Sequence, residues 1–164
     1  VSWGGKKWEK RPSSGETGMN TGEFHISLDD KGRLLIPARI RNEIRGNALV
    51  VTRGIDRCLW LFSPEEWREF SSKLMSASSP LSRRGRLLQR RIIAPAQEVE
   101  LDKAGRVNVP KSLQESAGLA RETRLLVMER YMEIWDAGAY QEYESESEAD
   151  LQEAAEELGG LVSF

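Results

Sequence analysis

Ser27-Leu28-Asp29-Asp30-Lys31-Gly32-Arg33-Leu34-Leu35-Ile36-Pro37 and Glu100-Leu101-Asp102-Lys103-Ala104-Gly105-Arg106-Val107-Asn108-Val109-Pro110 lie 73 residues apart and share Leu, Asp, Gly, Arg and Pro at matching positions. Such self-similarity makes the internal repeat the first thing to resolve. The register slips by three residues, so that Leu49-Val50-Val51 meets Leu125-Leu126-Val127. It returns to 73 where Leu59-Trp60-Leu61-Phe62 meets Met132-Glu133-Ile134-Trp135. An insertion cancelled by a deletion in turn regions is the mark of duplicated units with tolerant loops.

Each unit reads as strand, turn, strand, short helix, strand, strand, helix. Phe24, Ile26 and Leu28 alternate with polar residues, and Leu34 and Ile36 share one face of the next strand. Asp29 and Gly32 occupy the first and fourth positions of a type I turn, where the Asp side chain accepts backbone N–H bonds. Asp102 and Gly105 repeat them. Pro37 opens a helix with Ile40 and Ile44 on its apolar face and Gly46 at its end; Pro110, Leu113, Ala117 and Gly118 do the same in the second unit. Ser63-Pro64-Glu65-Glu66 is an N-cap with a capping box, and Asp136 is its weaker counterpart. A unit of some 45 residues supports only a marginal core, so the two are expected to share one small barrel. Exposed strand edges on half-barrels further predict an oligomer.

Charge is distributed unevenly along the chain. The 164 residues hold 24 Lys plus Arg against 26 Asp plus Glu, yet no basic residue follows Arg130 while nine acids lie from Asp136 onward, leaving residues 1–135 at +7. A basic body with an acidic tail points toward a polyanionic partner. Cys58 alone cannot make a disulfide, and one Cys with one His (His25) cannot form the clusters of zinc sites. No metal site, cofactor or catalytic residue is expected: there is no phosphate-binding glycine loop, and His25 reads as an ordinary strand residue. No apolar run approaches a membrane span, which predicts a cytoplasmic protein. Residues 1–18 read as a disordered extension in which Trp3, Trp8 and four basic residues could touch nucleic acid. Residues 146–164 read as an acidic tail, a frayed helix with Leu151, Ala155 and Leu158 as a short stripe.

The two Asp-x-x-x-Arg segments, Asp29 to Arg33 and Asp102 to Arg106, each followed by a short strand and Pro, with the Arg-rich stretch Arg83 to Arg91 before the second copy, resemble the MraZ family of bacterial transcriptional regulators. These are relatives of the AbrB-type swapped-hairpin DNA-binding proteins. The resemblance covers about residues 19–145. It implies an α+β fold of two tandem repeats, 19–76 and 96–145, joined by an Arg-rich linker helix over 77–95 and forming a small double-split β-barrel with flanking short helices. It also implies a ring-like homo-oligomer at the nucleoid that represses the division and cell-wall gene cluster through double-stranded promoter repeats.

Strand alternation independently says where the arginines point. With Leu34 and Ile36 inward, Arg33 and Leu35 face away; with Val107 and Val109 inward, Arg106 and Asn108 do. An exposed hairpin bearing Arg suits a groove or phosphate reader. The competing use of Arg33 is an ion pair with Asp29 across the turn, and both can hold if Asp29 orients it. Lys31, Arg33, Arg39, Arg41 and Arg45 surround the first turn and helix, with Arg41 and Arg45 on one helical face. The second unit has Lys103, Arg106 and Lys111, and Gln114 replaces Arg41. The first unit is therefore expected to grip DNA, against the plainer reading of a solvated basic face. In the linker, Leu81, Leu88 and Ile92 fit one stripe with Gly85 at a close-packing position, favouring a packed helix or oligomer seam over DNA contact. Trp60, Trp67, Phe70, Trp135, Tyr140 and Tyr143 read as core or interface. A different class remains: a protein-interaction module resembling an AbrB-type antidote that binds a basic partner.

Overall fold

A computed structural model describes residues 21–162; the extension expected over 1–18 lies outside them. Asp29 Oδ1 accepts the amides of Lys31 and Arg33, both at 2.9 Å, and the Gly32 amide closes on the Asp29 carbonyl. Gly32 has φ +78°, where a Cβ is strained. Asp102 and Gly105 build the same turn.

These turns fix the order of elements. The first unit runs β1 (Thr21–Ser27), β2 (Arg33–Leu35), α1 (Ala38–Arg41), β3 (Ala48–Arg53), β4 (Leu59–Phe62) and α2 (Pro64–Ala77). A linker follows, α3 (Arg83–Leu88) continued by a π-helical turn (Gln89–Ile93). The second unit runs β5 (Gln97–Glu100), β6 (Arg106–Asn108), α4 (Lys111–Ala117), β7 (Glu122–Met128), β8 (Met132–Asp136) and α5 (Ala137–Glu146), and α6 (Glu148–Gly159) follows it. The expected α+β repeat is thus observed element by element. Both N-cap bonds form: Ser63 Oγ accepts the Glu66 amide and Asp136 Oδ2 accepts the Ala139 amide, each at 3.1 Å.

The units are interleaved. β1 pairs with β7 and β5 with β3, so each unit's first strand completes the other unit's sheet. The six-stranded antiparallel order is β1-β7-β8-β4-β3-β5, while β2 and β6 form a separate two-stranded ribbon. Exchanging the units leaves both orders unchanged. Two residue pairs 73 apart face each other across this symmetry: Leu34 opposite Val107 in the ribbon, and Trp60 opposite Glu133 between β4 and β8. A pseudo-twofold axis passes through both.

The ladders do not close into a continuous barrel. β1 and β5 are sheet edges, because β2 and β6, three residues each, pair with one another; only the isolated bridges Leu28 with Leu34 and Leu101 with Val107 tether the ribbon to those edges. Between ribbon and sheet lies one shared core. Leu34, Ile36, Ile40 and Leu49 from the first unit meet Val107, Val109, Leu113 and Leu125 from the second, all at most 3% exposed. Neither unit owns a complete core, which is why two marginal halves make one domain.

The outer face of the sheet is covered too. Phe62 packs on Trp67 and Phe70 of α2, with centroids 5.2 Å apart in each case, and Trp135 packs on Tyr140 and Tyr143 of α5 at 5.1 and 4.8 Å. The aromatic set is packing, as its repetition at structural positions predicted. Glu133, buried on the axis, accepts the indole N–H of Trp60 (3.1 Å) and of Trp135 (2.8 Å).

Three local expectations need correction. α1 ends at Arg41, with Glu43 and Ile44 amides turning back on Ile40 and Arg41 carbonyls, so Arg45 lies beyond the helix and shares no helical face with Arg41. Leu81 precedes α3 and is 92% exposed, and Leu88 is exposed, so the linker stripe reduces to Ile92 with Gly85. The π-turn at Gln89–Ile93 adds a residue to the turn, which defeats a 3.6-residue projection. The tail is not frayed over its first part: α6 is a regular twelve-residue helix, exposed throughout.

Candidate nucleic-acid interface

The β2–β6 ribbon places the candidate arginines. Arg33 lies opposite Asn108 and Arg106 opposite Leu35. Since Leu34 and Val107 are buried at 0% and 2%, these four side chains share the outer face, with the two arginines on a diagonal. Alternation alone foretold this orientation. It did not foretell that the two arginines sit on one ribbon, because each was read within its own hairpin.

The two are held differently. Arg33 Nε donates to Asp29 Oδ2 at 2.8 Å with both side chains about one-third exposed. The Asp29 carboxyl is held below the usual carboxylate range, first by the Arg33 amide, which desolvation opposes, and then by the Arg33 guanidinium and the Lys31 amide. Asp102 is lowered in the same direction, chiefly by the Arg106 amide. Among the described residues no hydrogen bond joins the Arg106 side chain to Asp102. Asp29 therefore keeps its charge and aims a guanidinium whose η nitrogens remain available for a fork-like contact.

Arg39 is exposed; its guanidinium donates to the Thr21 carbonyl and lies over the Phe24 ring at 5.3 Å. Arg41 is half-buried: Nη1 donates to the Ile36 carbonyl at 2.6 Å, and the side chain covers Gly105 of the opposite turn. Gln114, its counterpart 73 residues on, donates to the Val109 carbonyl at 2.8 Å and covers Gly32. The two are a matched pair of clasps, so Gln114 does not represent the loss of a basic reader. The exact spacing of 73 between them was the available signal. Lys31, Arg45, Lys103 and Lys111 are exposed. An open polar cleft of about 490 Å³ beside the first turn brings together Lys31, Asn108, Lys111 and Gln114 from both units.

The chain matches the family model described as "MraZ protein, putative antitoxin-like" twice, over residues 19–90 and 92–161. It belongs to the MraZ family. The two matches coincide with the two interleaved units. Curated MraZ relatives agree: the protein named Transcriptional regulator MraZ from Treponema denticola is 46% identical over 141 residues, covering 86% of this chain and 98% of the relative. The proteins of the same name from Treponema pallidum (strain Nichols) and Lactobacillus helveticus are 43% and 40% identical, covering 86% and 87% of this chain and 95% and 99% of theirs.

His25 is an exposed strand residue opposite Arg124. Cys58 is buried, and desolvation, reinforced by Glu133 and Asp56, pushes its thiol above the ordinary range. Among the described residues no group of three or more potential metal ligands occurs and no helix is long and apolar enough to cross a membrane.

Proposed function

We propose that this chain is a sequence-specific DNA-binding transcriptional regulator that reads double-stranded promoter repeats through the outer face of the β2–β6 ribbon. The observation that carries the reading is the convergence of Arg33 and Arg106, one from each repeat, on one exposed two-stranded ribbon. A ribbon of that width fits the major groove, where Arg makes bidentate contacts to guanine. Arg33 and Arg106 are the base readers in this reading, Lys31, Arg39 and Arg45 hold phosphates, and Arg41 clasps the opposite turn with any contact secondary. Asp29, Gly32, Asp102 and Gly105 set the geometry.

The repeats span 19–76 and 96–145 and enclose the core as a double-split barrel, with ring-like assembly displaying several ribbons. Weak single contacts then multiply through effective concentration on repeated DNA elements. The target is its own promoter and the division and cell-wall gene cluster, with repression as the outcome. The test is a mobility shift on DNA from just upstream of its coding region across a salt series. Affinity should fall steeply as salt rises; a flat response, or equal retention of unrelated DNA, would reject the reading. A second reading, an antidote-like module that wraps a basic protein, draws on the exposed acidic α6. Co-purification of a small basic protein without promoter retention would favour it.

A further inference from the structure

The outer face of the sheet carries a cavity that aromatic packing leaves open. Between α2 and the β7–β8 turn, Trp60, Phe62, Phe70 and Tyr131 wall a mainly apolar space of about 390 Å³. The four rings hold one another: Phe62 stacks on Phe70 at 5.2 Å, while Trp60 meets Phe70 at 5.7 Å and Tyr131 at 5.4 Å, edge to face. Their mutual support keeps the walls in place, as in a largely pre-formed ligand site.

The charges around it are sorted by depth. The Glu66 side chain is only 9% exposed, whereas Glu69 and Arg130 stand at the mouth, 54% and 68% exposed. Arg130 Nη1 lies 3.6 Å from Glu66 Oε1 and 3.5 Å from Glu69 Oε1, beyond the roughly 2.7–2.9 Å of a close charge-assisted bond. A guanidinium thus sits loosely where a cation is wanted. The Arg130 amide turns back on the Met128 carbonyl at 2.8 Å, and Glu129 between them has φ +71°. A three-residue turn with that φ is rare and strained, and it sets the lip of the cavity.

The repeat shows that the architecture does not require the buried acid. At a spacing of 73, Phe62 and Phe70 correspond to Trp135 and Tyr143, which pack at 4.8 Å with Trp135 2% exposed, and Glu66 corresponds to Ala139. Holding a carboxylate against aromatic walls costs desolvation, and only the first unit bears that cost.

We propose that this cavity binds a small organic ammonium ion with an apolar body, its charge on Glu66 and Glu69 in place of the Arg130 guanidinium and its body against the rings. Aromatic faces attract a cation within about 6 Å. Exchanging one cation for another leaves the charge at the carboxylates unchanged, and an ion pair as exposed as Arg130 with Glu69 is cheap to open. An anion would meet Lys73 and Arg130 only at the mouth, with Glu66 repelling it from below. The sheet and the core separate the cavity from the β2–β6 ribbon, so the site is independent of DNA reading.

Isothermal titration calorimetry of the full chain without DNA tests this, with 2-phenylethylammonium chloride as probe and 2-phenylethanol as its neutral counterpart. One saturable site per chain is expected for the ammonium ion and none for the alcohol over the same range. Glu66→Gln should weaken binding about tenfold or more, and Arg130→Ala should tighten it by removing the resident cation. Glu142→Gln, equivalent to Glu69 in the second unit and exposed, should leave it unchanged. Should Glu66→Gln fail a thermal-melt control, Arg130→Ala at its exposed position decides alone. No saturable binding, equal binding of the alcohol, undiminished affinity in a folded Glu66→Gln chain, an Arg130→Ala chain that binds no tighter, or a loss in Glu142→Gln equal to that in Glu66→Gln would overturn the proposal.

Discussion

Replacing Arg33 by Ala separates the reading function of the ribbon from its architecture. The backbone amides of Lys31 and Arg33 still bind Asp29, and Gly32 still closes the turn, so the hairpin keeps three of its bonds. The lost Nε contact belongs to a pair that is one-third exposed and contributes little to stability. One bidentate base contact is worth about 1–3 kcal/mol, or roughly 5- to 150-fold in Kd for a single ribbon. Fluorescence anisotropy on a single-element duplex, run as a salt series, measures this directly. If Arg33 reads a base, discrimination at one position collapses and the salt slope holds; if it grips phosphate, the slope falls by about 1 and all sequences weaken alike. Unchanged affinity for promoter and unrelated DNA, with assembly intact, would refute the role given to the ribbon.

Other perturbations probe the frame beneath. Leu34→Ala, at 0% exposure on the pseudo-twofold axis, should lower stability by about 2–5 kcal/mol, read as a urea-midpoint shift at constant m. Asp29 and Asp102 have depressed folded-state carboxyls, so their contribution is present above the ordinary value of 3.8 and lost as pH falls through the lower folded value. Asp29→Asn/Asp102→Asn should therefore flatten the acid limb of Tm against pH below that point, and an unchanged limb would contradict the assignment. Gly85→Ala drives a Cβ into the Ser79 backbone, so it should lower Tm and speed amide exchange across residues 78–92.

What the sequence disclosed followed from local chemistry. Asp29 and Gly32, three residues apart, specify their turn whatever surrounds it, and Leu34 and Val107 point inward by alternation alone. Pairing between units is a different matter. Nothing in β1 names β7 as its partner, because alternation tells a strand its faces and not its neighbours. Arg41 and Gln114 differ in charge but share a donor that reaches a strand-end carbonyl, so a comparison by charge misjudged a pair that geometry makes equivalent. In the linker the π-turn broke the period on which the stripe depended. The indole bonds to Glu133 are not legible in the repeat either, because alignment makes Trp60 and Glu133 equivalent positions and does not say that equivalent positions meet on an axis.

That contact depends on the two units being different. In a symmetric dimer of single units, the residue on the axis meets its own copy: two indoles would collide there, and two carboxylates would repel. Joining the units in one chain lifted the rule that both sides be identical. Trp60 and Glu133 could then diverge into donor and acceptor, an arrangement no homodimer of either half could adopt. A single chain that carries both units can therefore hold a chemical asymmetry at its centre that two identical halves could not.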